Sequence, residues 1–173
     1  MSLRQRIVAR FRHMFGAHTS APSKKKARMT DRKINKIIIH CSATKPDMDI
    51  GAAKIKEWHT AAPPKGNGWS DVGYHEVITR SGDIEEGRSL GIAGAHTRGH
   101  NRDSIGICLV GGVDESGKPE DNFTDPQYRS LERLVRTYKS SFPTATVHGH
   151  NEFSNKACPS FDVQSWLRKV KII

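Results

Sequence analysis

The stretch Lys36–Ser42, KIIIHCS, decides the architecture. Three successive isoleucines leave no polar alternation, so the segment reads as a strand covered on both faces rather than one with a wet side. Two further runs resemble it: SIGICLVGG from Ser104, and TATVHGH from Thr144 to His150. Helical patterns lie between and after them. GAAKIKEWHTAA places Ala52, Ile55, Trp58 and His59 on one face. TDPQYRSLERLVRTYKSSF opens with Thr124 as N-cap and Gln127 at capping-box spacing, and its buried stripe is Tyr128, Leu131, Leu134, Val135 and Tyr138. DVQSWLRKV supplies a closing helix, and GYHEVITR followed by SGDIEEG reads as a hairpin turning at Ser81–Asp83. Strands alternating with helices predict an α/β fold, a central mixed β-sheet flanked by helices in a single domain.

The formal net charge of +10 suggests a nucleic-acid binder until its distribution is read. Residues 1–33 carry ten Lys and Arg and one acid, whereas the rest of the chain is within one charge of neutral. The basicity belongs to an extension, and the body from residue 34 to 173 lacks the basic face that groove binding requires. In the extension, Leu3, Ile7, Phe11, Met14 and Phe15 recur at helical spacing among Arg4, Arg6, Arg10 and Arg12. That pattern reads as a cationic amphipathic helix followed by a basic linker, suited to an anionic membrane or lipopolysaccharide; a solvated helix without a separate task is the plainer alternative. Arginines interrupt every would-be apolar core, which argues against a secretory signal, and no apolar run approaches bilayer length. The three cysteines, Cys41, Cys108 and Cys158, are odd in number and far apart, the pattern of a chain made in a reducing compartment.

Cys158 lies in NKACPSFDV, a polar turn-forming segment eight residues after His150. Catalytic zinc sites use three N, S or O ligands and keep a fourth position open. His40 ends the first strand, His150 ends the last, and Cys158 follows after a loop. His148 shares a strand face with His150 and is an alternative ligand on spacing alone, and Cys158 alone could equally be a buried thiol. His75 should face away from Tyr74 and be structural, while His59 reads as a packed core histidine. Trp69 reads as buried, with lining of the cleft as the alternative, and Cys41 and Cys108 read as core thiols.

The blocks IIIHCSATKP, WSDVGYH, SIGICLVGG, DNFT and HNEFSNKACPSFD, in register from Ile37 to Trp166, closely resemble the amidase-type phage lysozymes. These are zinc N-acetylmuramoyl-L-alanine amidases, related to the peptidoglycan recognition proteins. The resemblance implies that Zn2+ is held by His40, His150 and Cys158, that Tyr74 and Lys156 are catalytic, and that His96 contacts substrate at the cleft rim. It implies an endolysin that hydrolyses the amide between N-acetylmuramic acid and L-alanine in bacterial peptidoglycan. Such a monomer would accumulate in the host cytoplasm until the membrane is breached. Glu152 is a general-base candidate by proximity in sequence.

Two alternatives follow. A non-catalytic peptidoglycan-binding module would be expected to lack the cysteine or the tyrosine, and both are present. A phage RNA polymerase inhibitor is the other; in the family that activity depends on the N-terminus, which differs here, and it is not carried over.

Overall fold

The computed structural model describes residues 30–173; the amphipathic pattern of the extension lies outside them. Five strands form one sheet in the order β3-β2-β4-β1-β5. They are β1 (Lys36–Cys41), β2 (Glu76–Ile78), β3 (Ile84–Glu86), β4 (Ser104–Leu109) and β5 (Thr146–Gly149). β1 runs parallel to both β4 and β5, β2 runs parallel to β4, and only β2–β3 is antiparallel. The sheet is therefore mixed and is flanked by helices, as expected. β1, flanked on both sides and buried from Ile37 onward, explains the unbroken isoleucine run.

Alternation along β1 sorts its side chains. Ile37 and Ile39 join Ile105, Ile107, Leu131, Val135, Trp166 and Leu167 beneath α2 (Asp125–Ser141) and α3 (Val163–Lys169). His40 pairs in register with Cys108, which lies in the smaller cluster of Ile55, Val72, Val77 and Val110 beside α1 (Ala52–Thr60). The candidate ligand thus emerges on the α1 face, at the end of a strand held rigidly on both sides.

The helix starts follow two routes. Thr124 and Gln127 form the expected capping box, with Gln127 N–H donating to Thr124 Oγ1 at 3.2 Å and Thr124 N–H donating to Gln127 Oε1 at 3.0 Å. Gln127 is fully buried and also donates to the carbonyls of Ile78 and Val110, which pins α2 to the ends of β2 and β4. α1 begins after Gly51 without a cap of its own; the carboxylate of Glu85 accepts from Ala52 N–H at 2.5 Å. A Cβ at Gly51 would collide with that carboxylate.

The hairpin is shorter than GYHEVITR suggests. Tyr74 and His75 fall outside β2, and their carbonyls accept from Arg88 and Gly87 across an irregular connection. Arg32, read from sequence as linker, is bound into the body. Its guanidinium donates to the carbonyl oxygens of Leu90, Ile92, Asn101, Arg102 and Ser104, and Thr30 Oγ1 donates to Leu90 O. No helix among the described residues is long and apolar enough to cross a membrane.

Candidate metal centre

Three elements deliver three donors. His40 comes from the end of β1, His150 opens a 3-10 turn directly after β5, and Cys158 lies on the loop that follows. That loop is tied back by Asn151 N–H donating to Cys158 O at 2.7 Å and by Ser160 Oγ donating to Gly112 O at 2.7 Å. One ligand atom from each of His40, His150 and Cys158 lies within 4.8 Å of the others. His40 Nδ1 is 3.8 Å from Cys158 Sγ, and the His40 and His150 rings have centroids 4.5 Å apart. Tetrahedral zinc with ordinary Zn–N and Zn–S lengths separates its donors by roughly 3.3–3.6 Å, so these atoms need only a small contraction. Two imidazoles and one thiol are also the donor set that suits zinc rather than magnesium or calcium.

The electrostatics keep the two imidazole donors available. Burial, then the neighbouring charges of His96, His150 and Lys156, hold His40 well below the ordinary histidine value. Burial and then Lys156 do the same to His150. Both imidazoles are therefore neutral at neutral pH, with lone pairs free for a cation. The hydrogen-bonded Cys41 thiol, and then burial, push the Cys158 thiol up; Cys41 N–H donates to Cys158 Sγ at 3.2 Å.

Tyr74 stands over the cluster, its ring 5.2 Å from that of His40. Burial, then the surrounding cysteines, push its phenol well above its ordinary range, so it stays protonated. Lys156 is exposed, yet its charge acts on both histidines.

His148 turns elsewhere: its Nδ1 contacts Glu152 Oε2 at 2.6 Å and its Nε2 contacts Thr146 Oγ1 at 2.8 Å. The other oxygen of Glu152 accepts from Gly149 N–H and from Gln164 Nε2. Glu152 thus clamps the turn that carries His150, and its hydrogen bonds hold it there rather than at the donors.

His75 is buried, as expected of a structural residue. Gly106 N–H donates to its Nδ1 at 2.9 Å, and its Nε2 lies 3.1 Å from Ile92 O and 3.0 Å from the Arg32 guanidinium. Two readings need correction. His59 is half-buried, not core; its Nδ1 accepts from Gly73 N–H and its ring faces Trp69 and Tyr74. Trp69 is exposed, because its ring caps His59 at the surface instead of entering the core. Cys41 is buried, as expected of a core thiol, and its sulfur lies against Cys158 and 3.8 Å from Ser160 Oγ, beside the centre.

His96 lines a shallow depression with Trp69, Ala95, Thr97 and Arg98. Its ring also stands edge-on to His40, with centroids 5.0 Å apart and Nδ1 3.0 Å from His40 Nε2. Sequence reasoning missed this second contact, together with Thr97, Asn101 and Ser104 around it. The only signal was the density of polar side chains in GAHTRGHNRDS, which spacing could not orient.

A His, His, Cys cluster, with His40 buried and His150 and Cys158 half-buried, at and just beyond the ends of parallel strands and beneath a protonated tyrosine, has the donor set of a metallohydrolase-type centre. Residues 30–161 match the N-acetylmuramoyl-L-alanine amidase family, and the chain belongs to that family. It is 44% identical over 137 residues to the endolysin of Escherichia phage T7, covering 79% of this chain and 87% of that one. It is 41% identical over 149 residues to the endolysin of Enterobacteria phage K11, covering 86% and 95%. Among solved structures, the N-acetylmuramoyl-L-alanine amidase LysC from Clostridium intestinale superposes with a TM-score of 0.67 at 27% identity, covering 81% of this chain and 87% of that one.

Proposed function

We propose that this amidase is a zinc-dependent phage endolysin that cleaves the bond between the lactyl group of N-acetylmuramic acid and L-alanine. The observation that carries the reading is the convergence of His40, His150 and Cys158 within 4.8 Å beneath Tyr74. Zinc held by these residues supplies Lewis acidity towards the amide carbonyl and the attacking water. Tyr74, protonated and buried, orients that water and holds a proton close to the reacting atoms. Lys156 offers its ammonium to the oxyanion that develops as the carbonyl becomes tetrahedral, and its exposed position on the ligand loop leaves it free to meet substrate. The neutral histidines and the Cys158 sulfur hold the metal and complete the set.

The test is a digest of purified peptidoglycan with and without a zinc chelator, read by mass spectrometry and end-group labelling. New N-terminal alanine without new reducing sugar ends, abolished by chelation and restored by zinc, is the expected result. Tight binding without released peptide would instead make the chain a recognition module. The extension is assigned to an anionic membrane or lipopolysaccharide: deleting residues 1–33 spares hydrolysis of purified peptidoglycan but reduces killing of intact cells. Equal killing by both forms would refute that assignment. The enzyme meets its substrate in the cell wall, after accumulating in the host cytoplasm until the membrane is breached.

A further inference from the structure

Resting on the zinc reading above, the hydrogen bonds around His40 assign a direction to its protons. The chain can be read from a fixed end. A carbonyl only accepts, so Ser104 Oγ donates its one proton to His100 O at 2.7 Å. Ser104 Oγ must then accept from His96 Nε2, 3.4 Å away, and His96 carries its proton on Nε2. His96 Nδ1 is left as an acceptor, and it faces His40 Nε2 at 3.0 Å. Thr97 Oγ1, 3.1 Å from His96 Nδ1 and 3.3 Å from His40 Nε2, fits the same sense by donating to the first and accepting from the second. His40 therefore holds its proton on Nε2, and the lone pair is on Nδ1, the nitrogen 3.8 Å from Cys158 Sγ.

The surroundings keep His96 in place. Asn101 Oδ1 accepts from the backbone N–H groups of both His96 and Thr97, at 2.8 and 2.9 Å. The imidazole lies directly on the β4 backbone: a Cβ at Gly106 would stand 2.5 Å from His96 Cδ2, and one at Gly94 would also collide with the ring. Glycine at Gly106, in the middle of a buried strand, contributes nothing to packing of its own. Its presence there is explained by the ring that occupies the space.

We propose that Ser104 and His96, with Thr97, form a one-way relay that locks His40 in the Nε2–H form and presents Nδ1 to the metal. His96 is thereby a positioning residue for a ligand, in addition to lining the depression at the rim. Outer-shell partners of this kind set the tautomer and orientation of ligating histidines, and losing one typically costs about 10–100-fold in metal affinity.

The experiment uses the full chain in two measurements. Zinc affinity is determined by competition with a chromophoric chelator for the unaltered protein and for His96→Phe, His96→Asn and Ser104→Ala. The imidazole tautomers of the zinc-free proteins are read from nitrogen-15 NMR shifts. The relay predicts a single Nε2–H form for both His40 and His96 in the unaltered protein. His96→Phe should lose about 10–100-fold in zinc affinity and leave His40 a mixture of tautomers. His96→Asn can still offer an acceptor to His40 Nε2 and should retain most of the affinity; Ser104→Ala should release the direction of His96. Mixed tautomers at His40 in the unaltered protein would overturn the proposal. So would unchanged zinc affinity in a folded His96→Phe variant. An unaltered protein that holds no zinc overturns the reading beneath this one, and is told apart because the tautomer measurement needs no metal.

Discussion

Replacing Arg32 by methionine keeps the length of the side chain and removes its donors. Of the five carbonyls it serves, those of Ile92 and Arg102 lie at the surface and can turn to water. Those of Leu90, Asn101 and Ser104, at 2.9, 2.9 and 2.6 Å, are partly buried and lose a charged partner. At about 1 kcal/mol for each, discounted below the roughly 1.5–3 kcal/mol of charge-assisted bonds because the guanidinium is itself partly exposed, the loss is about 3 kcal/mol. For a domain of this size that lowers the melting temperature by about 6–12 °C. Urea titration of the metal-free protein measures the loss directly, and hydrogen exchange should show faster opening across residues 90–104. Lysine at this position reaches fewer carbonyls at once and should recover less than half the stability. A chain begun at Met29 retains the anchor, whereas one begun at Ile34 should show the full loss. If Arg32→Met unfolds within about 0.5 kcal/mol of the unaltered protein, an ordinary surface effect, Arg32 is linker after all.

Tyr74→Phe should lower kcat by about 10²–10⁴-fold, and Lys156→Ala by about 10²–10³-fold, with zinc affinity retained in both; loss of zinc instead would make them structural. Lys156→Ala should also raise the histidine value of His150 in the metal-free protein, since that charge holds it down. Burial lowers His75 to about 4. The unfolded chain therefore binds the extra proton first, and His75's share of stability is present above about pH 6.5 and lost as pH falls towards 4. At 1.36 kcal/mol per unit the share is roughly 3 kcal/mol, and proton NMR that finds His75 titrating near 6.5 would refute it. Cobalt substituted for zinc should show thiolate charge-transfer absorption that disappears in Cys158→Ser and persists in Cys41→Ser; the reverse would exchange the ligand and its neighbour.

Much of the fold was legible because the elements announce themselves locally. The isoleucine run of β1 and the Thr124–Gln127 box are interactions within a few residues of one another, and the structure contains both. The site was legible in a different way. His40 and Cys158 lie 118 residues apart in sequence, and nothing in their spacing brings them within 3.8 Å. What joined them was the resemblance of whole blocks. Arg32, Glu85 and Ser104 went unread for a physical reason: each works on backbone groups or on a ring contributed by a distant segment. Arg32 satisfies carbonyls some 60–70 positions away, and no residue type in the receiving segment marks it as a receiver. His59 was misplaced because helical periodicity gives a face but not how far that face is covered, and Trp69, in a loop, because residue type alone does not say whether a ring enters the core.

The glycines of the central sheet link fold and chemistry. Gly106 interrupts β4 between two buried isoleucines, where a larger residue would add core. A side chain there would expel His96, and without His96 the Nε2 of His40 keeps only Thr97 as a partner. The packing given up at Gly106 and the orientation gained at His40 are thus one feature seen from two sides. The same economy explains why the centre can be buried. Two neutral imidazoles and a neutral phenol add no charge to the cavity, so the desolvation that folding must offset there is confined to the hydrogen-bonded Cys41–Cys158 pair, in which Cys158 is pushed up and Cys41 is lowered to about 7. A divalent cation would favour release of the thiol proton by its field, while Lys156 stays exposed at the edge of the centre.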